Sequence, residues 1–214
     1  MVEARDCDAI LLAAGLSSRM TGSKMLREID GRPLVRVALE NALSACGRVI
    51  VVLGHEAPAV RAALGELPAR VVLVENASYR DGMFGSIQAG MREVESEWFF
   101  IVPGDMPCLD ADIFTAVAAS VPTGAGPTGP LAVVPYYRET RGHPVFVHRT
   151  LVPALLQEPR TAGPMRELLA RYPTTRVHLE RPEITLDIDT DRDVARYLCP
   201  EEESPRAPEP PAQR

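Results

Sequence analysis

Hydrophobic positions along this chain fall into short runs, most of them continuous rather than alternating. They occupy residues 9–14, 48–54, 69–75, 98–104, 131–137, 143–148 and 175–180. Unbroken runs of this length, rich in Val, Ile, Leu and Phe, predict strands covered on both faces. Between the early runs, apolar residues recur at helical spacing over 33–46, 57–67, 84–95 and 109–121. Strand followed by helix, repeated, predicts an α/β fold in three layers around a mostly parallel sheet. The runs at 131–137 and 143–148 are separated by only a short polar turn, which predicts an antiparallel pair and therefore a mixed sheet. The Gly/Pro segment 122–129 reads as a mobile connection.

The chain's 214 residues, 46% of them hydrophobic, suffice for one core. One domain over 1–198 is expected, followed by a tail over 199–214 whose Pro/Glu composition predicts disorder. A net charge of −6 argues against a duplex nucleic-acid partner held by general phosphate attraction. No apolar run has the length of a membrane span, and the charged N-terminus lacks a signal-peptide core, so a cytoplasmic protein is expected. Cys7, Cys46, Cys108 and Cys199 are scattered without metal or disulfide spacing and read as reduced and structural.

Candidate chemistry starts in the first strand. "AILLAAGLSSRMTGSKML" (9–26) breaks an apolar run with small residues and then sets two serines, Arg19 and Lys24 in one loop. The spacing fits neither G-x-G-x-x-G nor the P-loop pattern. Small residues at the carboxyl end of a strand let a ligand approach the main chain closely, and Arg19 and Lys24 would neutralise phosphate oxygens. A second carboxyl end, "IVPGDMPCL" (101–109), places Asp105 where a hard divalent ion bridging phosphates could be held, although a turn aspartate capping the next helix would look the same. "TLDIDTDRDV" (185–194) offers Asp187 and Asp189 on one face of an extended segment, with a capping-box-like helix start at Thr190 and Asp193. Ser86 reads as the N-cap of a helix. His143, between Gly142 and Pro144 at a strand mouth, could contact a second substrate or buffer a proton.

"LAAGLSSRMTGSK" resembles the L-A-A-G-x-S-x-R-M-G-x-x-K signature of the MobA-like nucleotidyltransferase family, with Thr21 departing from the family's glycine. Gly-Asp-Met-Pro at 104–107, Asn76, Gly-Met at 82–83, Ser-x-x-Ala-Gly at 86–90 and Arg-Gly-His-Pro-Val at 141–145 follow in the family's order. The resemblance implies a Rossmann-like nucleotidyltransferase fold. It also implies a nucleotide site formed by Leu12, Ala13, Ala14, Gly15, Arg19, Lys24, Asn76, Ser86 and Asp105, with Arg19, Lys24 and Asp105 catalytic. Asp105 and Asp189 would hold Mg2+, while His143, Arg166 and Asp187 would face the acceptor. "TAGPMREL" (161–168) departs from the family's Gly-Asp-x-Gly-Ala-Arg, keeping only the arginine.

Ala-Ala-Gly in the first loop is similar to the CTP-using branch, whose reaction transfers CMP from CTP to a molybdenum-bearing molybdopterin and releases pyrophosphate. Three alternatives remain: GTP as donor, a sugar, polyol or lipid-precursor phosphate as acceptor, and a non-catalytic carrier serving a molybdenum oxidoreductase. That oxidoreductase is the partner the family implies.

Overall fold

In the computed structural model, residues 2–16, 23–188 and 193 are described. The chain begins with β1 (Asp8–Ala13), then a short hairpin of β2 (Glu28–Ile29) and β3 (Arg32–Pro33), α1 (Leu34–Ala45), β4 (Arg48–Leu53) and α2 (Ala57–Leu64). It continues through β5 (Val71–Glu75), α3 (Met83–Met91), β6 (Trp98–Pro103), α4 (Ala111–Ala119) and β7 (Ala132–Tyr137). It then passes through β8 (Thr140–Arg141), β9 (Val145–His148), α5 (Val152–Gln157), α6 (Met165–Leu169) and β10 (Thr174–His178).

The main sheet runs β10-β7-β9-β6-β1-β4-β5, with β8 added beside β7. β1 lies parallel between β4 and β6, and its six residues are all buried, as its continuous apolar run requires. Its one charged member, Asp8, is satisfied at the amino end of the strand, where Oδ2 accepts from the backbone N–H groups of Glu95 and Ser96 at 2.7 and 3.0 Å. Alternate residues feed two layers. Ala9, Leu11 and Ala13 pack with α1, α2 and α4, whereas Ile10, Leu12 and Ala14 pack with α3 and with Leu155, Leu168 and Leu169 of α5 and α6.

β9 is antiparallel to both β6 and β7, so β7 and its parallel partner β10 run in the same direction as β6. The carboxyl ends of β1, β4, β5, β6, β7 and β10 therefore share one edge with the start of β9. This is the mixed, mostly parallel three-layer arrangement expected from the run pattern.

Several features differ from the sequence reading. The β2–β3 hairpin turns on Asp30 and Gly31, both at positive φ (51° and 71°), which is Asp-Gly turn chemistry. β8, α5 and α6 are too short to leave a periodic trace. Segment 122–129 is not a loose connection: Ala125, Gly126 and Gly129 each donate a backbone hydrogen bond within the stretch 122–130. Residues 186–188 form no strand; instead the N–H of buried Ile188 donates to the Asp105 carbonyl at 2.9 Å. Among the described residues, no helix is long and apolar enough to cross a membrane.

Cys7, Cys46 and Cys108 are reduced thiols. Burial pushes Cys7 up to about 12 and Cys108 up to about 11, which makes both poor nucleophiles at neutral pH.

Candidate active site

The carboxyl edge is built by close approaches. Gly104 follows β6 and donates its N–H to the Leu12 carbonyl at 2.9 Å. A Cβ at Gly104 would stand 2.7 Å from that oxygen and 3.0 Å from Met25 Sδ, so glycine lets the end of β6 seat against β1. Met25 belongs to a 3-10 turn, Lys24–Leu26, and is buried in the same layer as α1. That packing holds Lys24 above Asp105.

Lys24 Nζ donates to Asp105 Oδ2 at 2.9 Å, with side-chain exposures of 7% and 28%. A nearly buried ammonium requires a counter-charge, and Asp105 supplies it while keeping part of its carboxylate at the surface. Asp105 is not a helix cap. That role belongs to Asp110, whose Oδ1 accepts from Ile113 N at 3.0 Å to start α4. The capping explanation of Asp105 is thereby removed, and its carboxylate pairs with the loop lysine.

Leu12 and Ala13 end β1, Ala14 is buried, and among the described residues no atom lies within 4 Å of where a Cβ on Gly15 would project. A ligand could lie against the main chain there. Arg19 and Asp189 lie outside the described residues, as do Thr21, Thr190 and Asp191.

Asn76 follows β5 at the same edge, its N–H donating to Leu53 O at 2.8 Å. Tyr79, three residues on, packs close to Gly54 and Ala14, which brings this segment beside the end of β1. Asn76 Nδ2 donates to Ser86 Oγ at 3.0 Å, and Asn76 Oδ1 accepts from Ser78 N at 3.1 Å and from Arg160. Ser86 is therefore not the N-cap expected from the sequence. α3 begins after Gly82, whose φ of 118° suits glycine, and Ser86 sits inside the helix, buried against Asn76.

His143 precedes β9, and its N–H donates to Ile184 O at 2.8 Å. Its Nδ1 is buried without a hydrogen-bond partner among the described residues. Burial, then the nearby Arg141 guanidinium, push the imidazole down to about 4, with Asp105 acting in the opposite direction. At neutral pH the ring is uncharged, so the proton-buffer part of the sequence reading does not fit this environment.

Arg166 lies on α6 with its guanidinium largely exposed, 3.8 Å from Glu167. Asp187 is exposed, next to the Ile188 that binds Asp105. The structure thus gathers Lys24, Asp105, His143 and the 187–188 segment at the β6–β9 mouth, and Asn76 with Ser86 across β1 and β4.

Two arginines escaped the sequence reading. Arg141 is half-buried on β8 opposite Tyr136, and burial lowers its pKa, with Arg166 contributing. Arg160 joins Asn76 from a distant loop. Arg141 stood inside the Arg-Gly-His-Pro-Val run and could have been read there, whereas nothing local marks Arg160.

The His143 environment carries a prediction for stability. The unfolded chain takes up a proton near 6.5, the native chain only near 4, so between these values the unfolded state binds more protons. The stabilising effect of a neutral, buried His143 is complete above about pH 6.5 and is lost as pH falls toward 4. Urea unfolding at pH 7.5, 6 and 5 is expected to show a steeper loss in the wild type than in His143→Gln. Identical slopes would contradict the assigned burial.

The Lys24–Asp105 pair stands at the carboxyl edge of an open α/β sheet, the place where such sheets take their ligands. Residues 9–177 match the MobA-like NTP transferase domain, and the chain belongs to that family. It is 31% identical over 186 residues to the molybdenum cofactor cytidylyltransferase of Escherichia coli K12, covering 87% of this chain and 92% of the relative. It is 28% identical over 190 residues to a probable molybdenum cofactor guanylyltransferase of Nostoc sp. PCC 7120, covering 87% and 88%. Crystal structures of Rv0371c from Mycobacterium tuberculosis H37Rv superpose with a TM-score of 0.74 at 24% identity, and 0.71 at 23% in a complex with manganese. Both superpositions cover 90% of this chain and 97% of the other.

Nucleotidyltransferases of this family typically use a divalent metal, and the donor set here suits a hard ion. Among the described residues no group of three His, Cys, Asp or Glu side chains converges, so the described part holds no all-protein cage. Asp105 offers one partly exposed carboxylate, which matches an ion that takes one or two carboxylates and fills its other positions with water and phosphate oxygens.

Proposed function

We propose that this enzyme transfers CMP from CTP to the terminal phosphate of a molybdenum-bearing molybdopterin, with Mg2+ bound at Asp105 and Asp189. Similarity over most of the chain to a molybdenum cofactor cytidylyltransferase supports this reading, as does the Ala-Ala-Gly loop. The observation that carries it is the 2.9 Å Lys24–Asp105 pair, which joins the segments that follow β1 and β6.

A phosphate acceptor is already ionised at neutral pH, so no general base is needed. Its oxygen attacks the α-phosphorus, the bond from that phosphorus to the oxygen bridging to the β-phosphate breaks, and pyrophosphate leaves with the electron pair. Lys24, with Arg19 from the same loop, neutralises the triphosphate and the charge developing on the leaving group. Asp105 and Asp189 would hold the metal, which when bound would supply positive charge to screen the phosphates. His143, Arg166 and Asp187 orient the acceptor, and in-line placement supplies the rest of the acceleration. We read residues 1–198 as the single catalytic domain, and we infer a cytoplasmic enzyme that hands its product to a molybdenum oxidoreductase.

The test is an acceptor panel with CTP and Mg2+, scored by product mass. Transfer to molybdenum-loaded molybdopterin, and not to sugar, polyol or lipid-precursor phosphates, is expected. Transfer to one of those phosphates instead would replace the acceptor and leave the nucleotide chemistry standing.

A further inference from the structure

Arg141 is a half-buried cation without a counter-charge: among the described residues its guanidinium has neither a hydrogen bond nor an ion pair. Other partly buried arginines are provided for. Arg36 donates to Glu40 and to the Leu64 and Glu66 carbonyls, Arg48 donates to the Glu93 carbonyl, and Arg181 pairs with Asp110 and Glu183. Around Arg141 the nearby charge has the same sign. It is the register partner of Tyr136 across the β7–β8 pair, and cross-strand partners share a face. Its side chain therefore leaves the sheet on the side where Tyr136 packs with residues of α5 and α6. Arg166 stands in the first turn of α6 on that side. Burial lowers the Arg141 pKa, Tyr136 opposes this, and the Arg166 charge lowers it further, with no carboxylate contributing. A partly desolvated cation facing a second cation is unfavourable by itself, and an anion seated between them relieves it.

The position is the carboxyl edge. Ile101 and Val145 are the last pair of the antiparallel β6–β9 ladder, so the residues just before Val145 run out past the end of β6, toward Asp105. The His143 ring is close enough to both for Arg141 and Asp105 to act on it. A guanidinium offers two parallel N–H donors, the fork that matches two oxygens of one oxyanion. A carboxylate would bring one negative charge against two arginines. A phosphate monoester brings up to two, and after the fork is filled it keeps a third terminal oxygen.

We propose that Arg141, with Arg166 beside it, forms an oxyanion subsite at this mouth, and that it takes the phosphate monoester group of the acceptor. Arg141 holds two of the phosphate oxygens and leaves the third to attack. The existence of the subsite rests on the unpaired arginine alone. The identity of its ligand rests on the transfer reaction proposed above. Arg176 provides an internal comparison: it lies on β10, two strands from β8, and its guanidinium stacks over the Tyr136 ring at 4.9 Å. Neutralising it changes the charge of this face as much as neutralising Arg141 does, without touching the fork.

The experiment is calorimetric titration of inorganic phosphate, without nucleotide or metal, into the wild-type protein, Arg141→Gln, Arg141→Lys and Arg176→Gln. Wild type is expected to bind phosphate saturably. Arg141→Gln is expected to weaken binding about ten- to a hundredfold, the range for hydrogen bonds to a charged group. Arg141→Lys keeps the charge but not the fork and is expected to recover only part of the loss. Arg176→Gln is expected to stay within about twofold of wild type, because a distant exposed charge is screened. Without phosphate, Arg141→Gln is expected to unfold at or above the wild-type temperature, since it removes an unpaired cation. No phosphate binding by wild type, or equal weakening by Arg141→Gln and Arg176→Gln, would overturn the proposal. Kinetics identify the ligand: Arg141→Gln is expected to raise the KM for molybdenum-loaded molybdopterin and leave that for CTP unchanged. A raised KM for CTP instead would give the subsite to the triphosphate and overturn the acceptor assignment. If phosphate affinity falls as expected but molybdopterin accepts no CMP, the subsite stands and the proposed acceptor falls.

Discussion

Lys24→Met is expected to lower turnover about a hundred- to a thousandfold, the usual loss when one fixed cationic donor to a developing charge is removed. The fold should persist. Lys24 anchors its loop through the packing of its neighbour Met25 as well as through its charge, and methionine fills a similar volume without leaving a buried ammonium. Asp105, with 28% of its side chain exposed, can be hydrated once the lysine is gone. Steady-state kinetics at saturating nucleotide and metal, with thermal unfolding as a control, separate the two effects. Turnover near the wild-type value in a folded Lys24→Met protein would remove Lys24 from the chemistry.

The second large effect is expected at Asp105. Asn is the informative substitution, because it removes the charge and keeps an oxygen to accept from Lys24 Nζ, which lies 2.9 Å away and is nearly buried. Ala would strip the ammonium of its carboxylate and confound loss of activity with instability, since breaking a buried pair on one side costs about 3–5 kcal/mol. Asp105→Asn is expected to lose activity by two or more orders of magnitude and to need more divalent metal for half-maximal rate. Unchanged metal dependence would move the ion away from Asp105. Lys24 and Asp105 pair with each other; on the proposed function, arrival of a metal-bound triphosphate would exchange this contact for Lys24–phosphate and Asp105–metal contacts.

The centre of the sheet was legible because β1, β4 and β6 are buried on both faces, which leaves unbroken apolar runs such as residues 98–103, whereas the edge strands β5 and β10 are only partly buried. Lys24 and Asp105 were legible separately, each by its place after a strand, but not their contact, which spans 81 positions and depends on Gly104 and Met25 packing at one edge. Ser86 was misread for a physical reason. A serine near a helix start looks like a cap, and only the tertiary approach of Asn76 shows that its oxygen is used elsewhere. His143 carried no sign in sequence of how strongly its ring is desolvated. The Arg160–Asn76 contact was invisible because it depends on a side chain crossing Gly85, and a lone arginine in a Pro/Gly-rich loop has the local signature of a solvated surface residue.

The most direct test of the account is pyrophosphate release by the purified protein with Mg2+ and molybdenum-loaded molybdopterin, comparing CTP with GTP. The account predicts acceptor-dependent release with CTP and little with GTP. Release with GTP in preference to CTP, or release with neither, would contradict it.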